Sequence, residues 1–101
     1  MKRRIEFKID EKKEYTIVSF KLNEVISPNI LSSIRPPEVN ATKGVVLSGR
    51  GPIWLYCYLT HFYHPTKFVA TYDPRLNGAV IVESHTVKYK AGDIIELKEP
   101  I

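Results

Sequence analysis

The sequence predicts an α/β fold: a mixed β-sheet with one main helix, one short helix and an N-terminal β-hairpin. A run of strand formers, a glycine-rich loop, an aromatic-rich segment and a second strand follow one another over residues 44–72, which is the order of a βαβ unit. Two earlier stretches alternate between polar and apolar residues, as strands with one buried face do. We expect a single compact domain spanning residues 1–101, with a modest core.

The composition limits the class of protein. Hydrophobic residues make up 44% of the chain and charged residues 26%, as in globular domains. No apolar run approaches the about 18 residues of a membrane span, and the basic start lacks the apolar stretch of a signal peptide, so we expect a cytoplasmic protein. The net charge of +4 permits an anionic partner such as a nucleotide or nucleic acid. Ordinary solvated lysine and arginine would account for it equally well.

The first third of the chain reads as a hairpin followed by a short helix. Residues 5–9 and 15–22 alternate in polarity, and the charged residues 10–14 between them form the turn. Ser27 is a preferred helix cap, and the proline after it suits the first helical position. A pair of prolines then ends this short helix, and the linker 36–43 leads to the buried strand.

Residues 52–63 form the main helix, which is apolar on almost every side. Such a helix is buried on more than one side. One side should pack on the sheet, and the side with Trp54 and the tyrosines should pack on a second copy, which predicts a homodimer. The alternative is that the short helix and the loops cover it. Cys57, the single cysteine, lies within this segment, and its apolar neighbours predict a buried side chain.

The crossover through this helix makes the strands at 44–47 and 68–72 parallel. Residues 73–78 contain Asn-Gly, a strong turn signal, so the strand at 79–82 should return antiparallel. A last strand at 94–97 is expected at the edge of the sheet.

The loop between the first parallel strand and the main helix is a candidate anion site. The first amides of a helix have no partner within it, and an anion placed there is stabilised. Glycine lets the backbone approach a ligand, and hydroxyl and guanidinium groups suit phosphate oxygens. The candidate ligand-binding residues are therefore Ser48, Gly49, Arg50, Gly51 and Pro52. A plain βα turn with glycines used for geometry is the alternative, because the loop matches neither the Walker loop nor the dinucleotide fingerprint.

Strand direction separates the remaining polar residues into two groups. Asp73 and Arg75 follow the second parallel strand and should lie near the glycine loop. Asp73 can hold a divalent metal and Arg75 can bind a phosphate, although an aspartate before proline often only organises its turn. His64 and His85 belong to the opposite end, where they could bind a metal, exchange protons or face a helix dipole. Residues 67–73 span roughly 23 Å, so His64 cannot reach Asp73 within one subunit.

Two segments together resemble a known family. Ser-Gly-Arg-Gly-Pro-Ile-Trp-Leu at 48–55 and Tyr-Asp-Pro-Arg-Leu at 72–76 are similar to CRISPR-associated accessory proteins of type III systems, stand-alone ring nucleases that degrade cyclic tetra-adenylate. The resemblance extends from about Pro28 to the C-terminus. It implies a truncated Rossmann-like nucleotide-sensing fold, a homodimer and Mn²⁺-dependent phosphodiester cleavage. Members have also been linked to removal of 3′-terminal adenosines from RNA.

The resemblance also implies site residues. In the family a histidine, an aspartate and an arginine carry the cleavage, and they align with His64, Asp73 and Arg75. For the metal we expect Asp73 and His64, with His85 as a further candidate ligand. This chain has Pro65 where a second histidine is expected, which puts metal affinity in question.

Residues and resemblance together predict a metal-dependent ring nuclease that converts cyclic tetra-adenylate to linear adenylates. If His64 and Asp73 act on one phosphate, two dimers must sandwich the ring head to tail. Two alternatives remain open at this point. One is a non-catalytic sensor or sponge for cyclic oligoadenylates, and the other is a 3′-terminal deadenylase acting on short adenylate RNA.

Overall fold

In the residues that the structure describes, six β-strands form one mixed sheet in which each strand lies beside its neighbour in the chain. The computed structural model describes residues 4–97, so the basic residues Lys2 and Arg3 lie outside the described part. The predicted α/β class, the N-terminal hairpin and the parallel crossover are confirmed. The strands are β1 (Ile5–Glu11), β2 (Tyr15–Leu22), β3 (Gly44–Ser48), β4 (Phe68–Asp73), β5 (Gly78–Ser84) and β6 (Ile94–Glu96).

Within the described part of the chain, three helical segments connect the strands. The main helix, α1, spans Ile53–Phe62, and Pro52 lies just before it as the N-cap. The predicted short helix is a 3₁₀ helix at Pro28–Ser32, and a second 3₁₀ turn occupies Pro74–Leu76. Within residues 4–97, no helix is both long and apolar enough to cross a membrane.

The central strands define two ends of the sheet. β2, β3 and β4 run parallel, and hairpin partners flank them on both sides. Leu47 lies opposite Thr71, so the last residues of β3 and β4 reach the same end of the sheet. We call this the carboxyl end. Phe68 lies opposite Ser84, which places the start of β4 and the end of β5 at the other, amino end.

The two faces of the sheet carry separate buried clusters. On the α1 side, Leu55 and Leu59 of the helix pack with sheet residues such as Val18, Phe20 and Leu47. On the opposite side, half-buried tyrosines pack around a cluster of Ile17, Val46, Phe68, Ala70, Ala79 and Ile81.

The main helix is less buried within this chain than its composition suggests. Leu55 and Leu59, one turn apart, are its buried residues, whereas the side chain of Ile53 is 82% exposed. Cys57 is exposed, so the expectation of a buried thiol was wrong. Its position is about 200° around the helix from both leucines, on the side away from the sheet. That a second copy covers this side stays a prediction.

Candidate functional site

The glycine loop is packed tightly on Phe20 of β2. A Cβ at Gly49 would lie 2.5 Å from the Phe20 carbonyl oxygen, and one at Gly51 would lie 2.9 Å from the Phe20 ring. Gly49 also has φ of 151°, a conformation that other residues rarely adopt. Both glycines are therefore required by the packing beneath the loop, whatever lies above it.

Tyr56 fixes the same loop from the helix. Its hydroxyl donates a hydrogen bond of 2.6 Å to the Gly49 carbonyl, and burial raises the pKa of this tyrosine. No side chain caps the N-terminus of α1, and the Leu55 amide donates to the Pro52 carbonyl, so the amides of Ile53 and Trp54 remain for solvent or a ligand. Arg50 stands exposed on the outside of the loop. The loop is a closely packed backbone segment that carries an exposed arginine.

Asp73 and Arg75 form a pair where β4 ends. An Asp73 carboxylate oxygen accepts a 2.9 Å hydrogen bond from the Arg75 backbone N–H, and the other oxygen lies 3.3 Å from Arg75 Nη2. Hydrogen bonding to Arg75 lowers the pKa of Asp73, and the same pair raises the pKa of Arg75. Asp73 caps its turn in this way, as expected of an aspartate before proline that organises its turn. The Arg75 side chain is 88% exposed, so its guanidinium can still meet an anion.

A groove of about 440 Å³ joins this pair to the glycine loop. We call it the Asp73 groove. The structure thus brings Asp73 and the loop together at the carboxyl end, as strand direction predicted. Its walls are formed by Gly51, Ile53, Tyr56, Cys57, Thr71, Tyr72, Asp73 and Pro74.

The histidines meet at the amino end, around a glutamate that the sequence did not suggest. His64 Nδ1 contacts a Glu83 carboxylate oxygen, and His85 Nε2 lies 3.7 Å from the same oxygen. The His64 and His85 rings pack edge to face, with centroids 4.9 Å apart. Nε2 of His85 also lies 3.1 Å from the His64 carbonyl oxygen, and the His85 backbone N–H donates to Lys67.

This His64–Glu83–His85 cluster has the composition of a metal site. One ligand atom from each residue lies within 4.8 Å of the others. Two imidazoles and a carboxylate suit divalent first-row transition metals. The same contacts suit proton transfer, because a carboxylate on one ring nitrogen orients the imidazole as a base.

The predicted site residues therefore fall into two groups. Ser48 to Pro52, Asp73 and Arg75 lie at the carboxyl end, and His64 and His85 lie at the amino end. The six residues of β4 separate the groups by about 17 Å. Within one subunit, the structure does not bring Asp73 close to the two histidines.

Comparison with known proteins adds a family. The sequence model of the CRISPR-associated protein family Cas_csx3 matches residues 19–96. An uncharacterized protein of Aquifex aeolicus (strain VF5) is 49% identical over 85 residues, which cover 80% of this chain and 77% of that protein. The family match begins within β2 and includes both groups of site residues.

Proposed function

The chain belongs to the Cas_csx3 family of CRISPR-associated proteins, and we propose on this basis that it is a metal-dependent phosphodiesterase acting in CRISPR defence. The proposed reaction cleaves cyclic tetra-adenylate to linear adenylates. The observation that carries the proposal is the arrangement of two chemically different groups. An arginine–aspartate pair lies beside the glycine loop at one end of β4, and an imidazole–carboxylate cluster lies at the other.

At the carboxyl end, the chain offers what a phosphodiester needs for binding. The first amides of α1 and the exposed Arg50 lie at the glycine loop, and the exposed Arg75 is paired with Asp73, which lines the Asp73 groove. Backbone amides at a helix start and a planar guanidinium both favour phosphate oxygens. Asp73 holds Arg75 in place through its carboxylate.

At the amino end, the donor set fits a divalent ion. Glu83 and His85 would hold it, which leaves His64 free to exchange a proton, and the ion would supply positive charge to a phosphate brought to it. By the general order of affinities, nitrogen-rich sites bind Mn²⁺ more weakly than Co²⁺ or Ni²⁺. Selection of manganese would then rest on its availability.

Proton transfer is assigned to His64. Its Nδ1 side faces Glu83, so Nε2 on the far side of the ring exchanges the proton. In the proposed reaction a ribose 2′-hydroxyl attacks in line and gives its proton to His64. The 2′ oxygen bonds to phosphorus to form a 2′,3′-cyclic phosphate, the bond from phosphorus to the 5′ oxygen breaks, and the 5′ oxygen takes up a proton from water. Because β4 separates His64 from Arg75, each phosphate is bound by one subunit and meets the histidine of a facing dimer.

The test incubates purified protein with cyclic tetra-adenylate, with and without Mn²⁺, and separates the products by chromatography. We expect linear products only with the metal. Glu83→Gln and His64→Ala should remove activity, and His61→Ala serves as the matched control because His61 is exposed on α1 outside the cluster.

Two other results would replace the proposal. An intact ring that co-elutes with the protein indicates a sensor or sponge. An intact ring that does not bind overturns the ring-nuclease proposal, and shortening of linear polyadenylate from its 3′ end would then identify a deadenylase.

A further inference from the structure

A second groove lies on the other side of the α1 N-terminus from the Asp73 groove. It has a volume of about 640 Å³ and lies between the end of β2 and the first turn of α1. This groove is lined by the end of β2 and the Asp73 groove by the end of β4, and β3 lies between these strands, so the two grooves flank the glycine loop that follows β3. We call this one the Trp54 groove. Its lining includes Leu22, Glu24, Val25, Ile26, Pro52 and Trp54.

The lining of the Trp54 groove is mostly apolar and suits a flat apolar group. Trp54 packs against the buried cluster beneath α1 and also forms a wall of the groove. Val25, at the rim, is 99% exposed, an apolar side chain left in water. Glu24 places a carboxylate here, held 3.1 Å from Arg4. A carboxylate accepts hydrogen bonds from an exocyclic amine.

We propose that the Trp54 groove binds the adenine base of the nucleotide whose phosphate lies on the glycine loop. The inference rests on the proposed function, because it takes an adenylate as the ligand. Pro52 lines this groove directly after Gly51, which lines the other, so one nucleotide can bridge from loop to groove. Trp54 supplies a stacking surface, and Glu24 accepts from the N6 amine.

Trp54 is the single tryptophan of the chain, so its fluorescence reports directly on the Trp54 groove. Metal-free protein should be titrated with cyclic tetra-adenylate while indole emission is excited above the absorption band of adenine. We expect saturable quenching whose midpoint agrees with the affinity from calorimetry. Trp54→Ala should weaken binding by about tenfold or more, the range for loss of one stacked base. Trp54→Phe should keep most of the affinity.

Two controls address structure and base recognition. Phe62→Ala removes an exposed aromatic side chain at the other end of α1 and should leave affinity unchanged. A ring carrying hypoxanthine in place of adenine lacks the amine and should bind more weakly. That loss should shrink in Glu24→Gln, whose amide can also donate a hydrogen bond.

The outcomes separate this inference from the function on which it rests. Calorimetric binding without a change in indole emission overturns the base site and leaves the ring-nuclease proposal standing. Emission that changes with protein concentration but not with the ring assigns the groove to a second copy of the chain. Absence of any binding or cleavage overturns the proposed function itself.

Discussion

The Asp73–Arg75 pair makes a direct prediction about titration. Arg75 lowers the pKa of Asp73 below its ordinary value of 3.8, because it donates to the charged carboxylate. The pair therefore favours the folded state above the ordinary pKa, and this contribution disappears as the pH falls through the lowered value. We expect the Asp73 carboxyl carbon to titrate below pH 3.8 by NMR, and higher in Arg75→Ala. An unchanged midpoint in that variant would contradict the pairing, and Arg50→Ala is the control.

Gly49 and Gly92 form a matched pair for testing the glycine loop. Both have positive φ, 151° and 96°, but a Cβ at Gly49 meets Phe20 whereas one at Gly92 meets no atom within 4 Å. Gly92→Ala should cost only backbone strain, about 1 kcal/mol. Gly49→Ala adds the clash with the Phe20 backbone and should lower the free energy of unfolding by about 2 kcal/mol or more. Urea denaturation measures both. Equal losses of unfolding free energy in the two variants would mean that the loop accommodates the added Cβ without an energetic cost.

The Tyr56 hydroxyl tests whether the shape of the loop matters for the ligand. Tyr56→Phe removes the 2.6 Å bond to the Gly49 carbonyl but keeps the ring that packs on Phe20. A single hydrogen bond contributes about 1 kcal/mol to stability. We expect a small loss of stability and a several-fold loss of affinity for cyclic tetra-adenylate in calorimetry, with metal binding unchanged. Unaltered affinity would show that this contact only stabilises the fold.

At the scale of elements, strand order and direction were predictable because their signals are local. Alternation over residues 15–22, the apolar run of β3 and the Asn-Gly turn each depend on a few neighbouring residues. They sufficed to place the glycine loop beside Asp73 and the histidines at the other end. The exposed Cys57 was not predictable, because an almost uniformly apolar helix has no periodic stripe to mark the side that meets the sheet.

Glu83 was missed for a related reason. The register between β4 and β5 shifts at Val69 and Ala70, so Val69 lies opposite Glu83 whereas Ala70 lies opposite Ile81. A bulge of this kind inserts an extra residue and interrupts the alternation from which a strand's faces are read. Beyond it, Glu83 and His85 are two residues apart in sequence and meet His64. The sequence Glu-Ser-His at the end of a strand was the signal that could have placed Glu83 beside His85.

The two sides of α1 should respond differently to truncation. Leu59 is fully buried against the sheet, and Ile53 is 82% exposed. Leu59→Ala should lower the free energy of unfolding by about 2–5 kcal/mol, the cost of a large cavity in a core. Ile53→Ala should change it by less than about 0.5 kcal/mol in a monomer. If the exposed side packs on a second copy, Ile53→Ala will instead weaken the dimer, which analytical ultracentrifugation at several protein concentrations detects.

For the whole molecule, the separation of the two ends of β4 predicts how inactive variants will behave when mixed. The proposed site takes Asp73 and Arg75 from one subunit and His64 from a subunit of the facing dimer. His64→Ala keeps an intact carboxyl end, and Asp73→Ala keeps an intact amino end. A sandwich of one dimer of each kind then contains complete sites. Mixing the two variants should restore part of the cleavage activity, and the wild type should lose specific activity on dilution.

The control mixture is Asp73→Ala with Arg75→Ala. Both substitutions damage the carboxyl end. Every pair of facing dimers in this mixture therefore lacks a complete Asp73–Arg75 pair. This mixture should stay inactive although each variant retains the His64–Glu83–His85 cluster. Activity in the first mixture and none in the second would require that His64 and Asp73 of different subunits act on one phosphate. If neither mixture exceeds the sum of its components, His64 and Asp73 do not share a phosphate, and cleavage would have to proceed at one end of β4 alone.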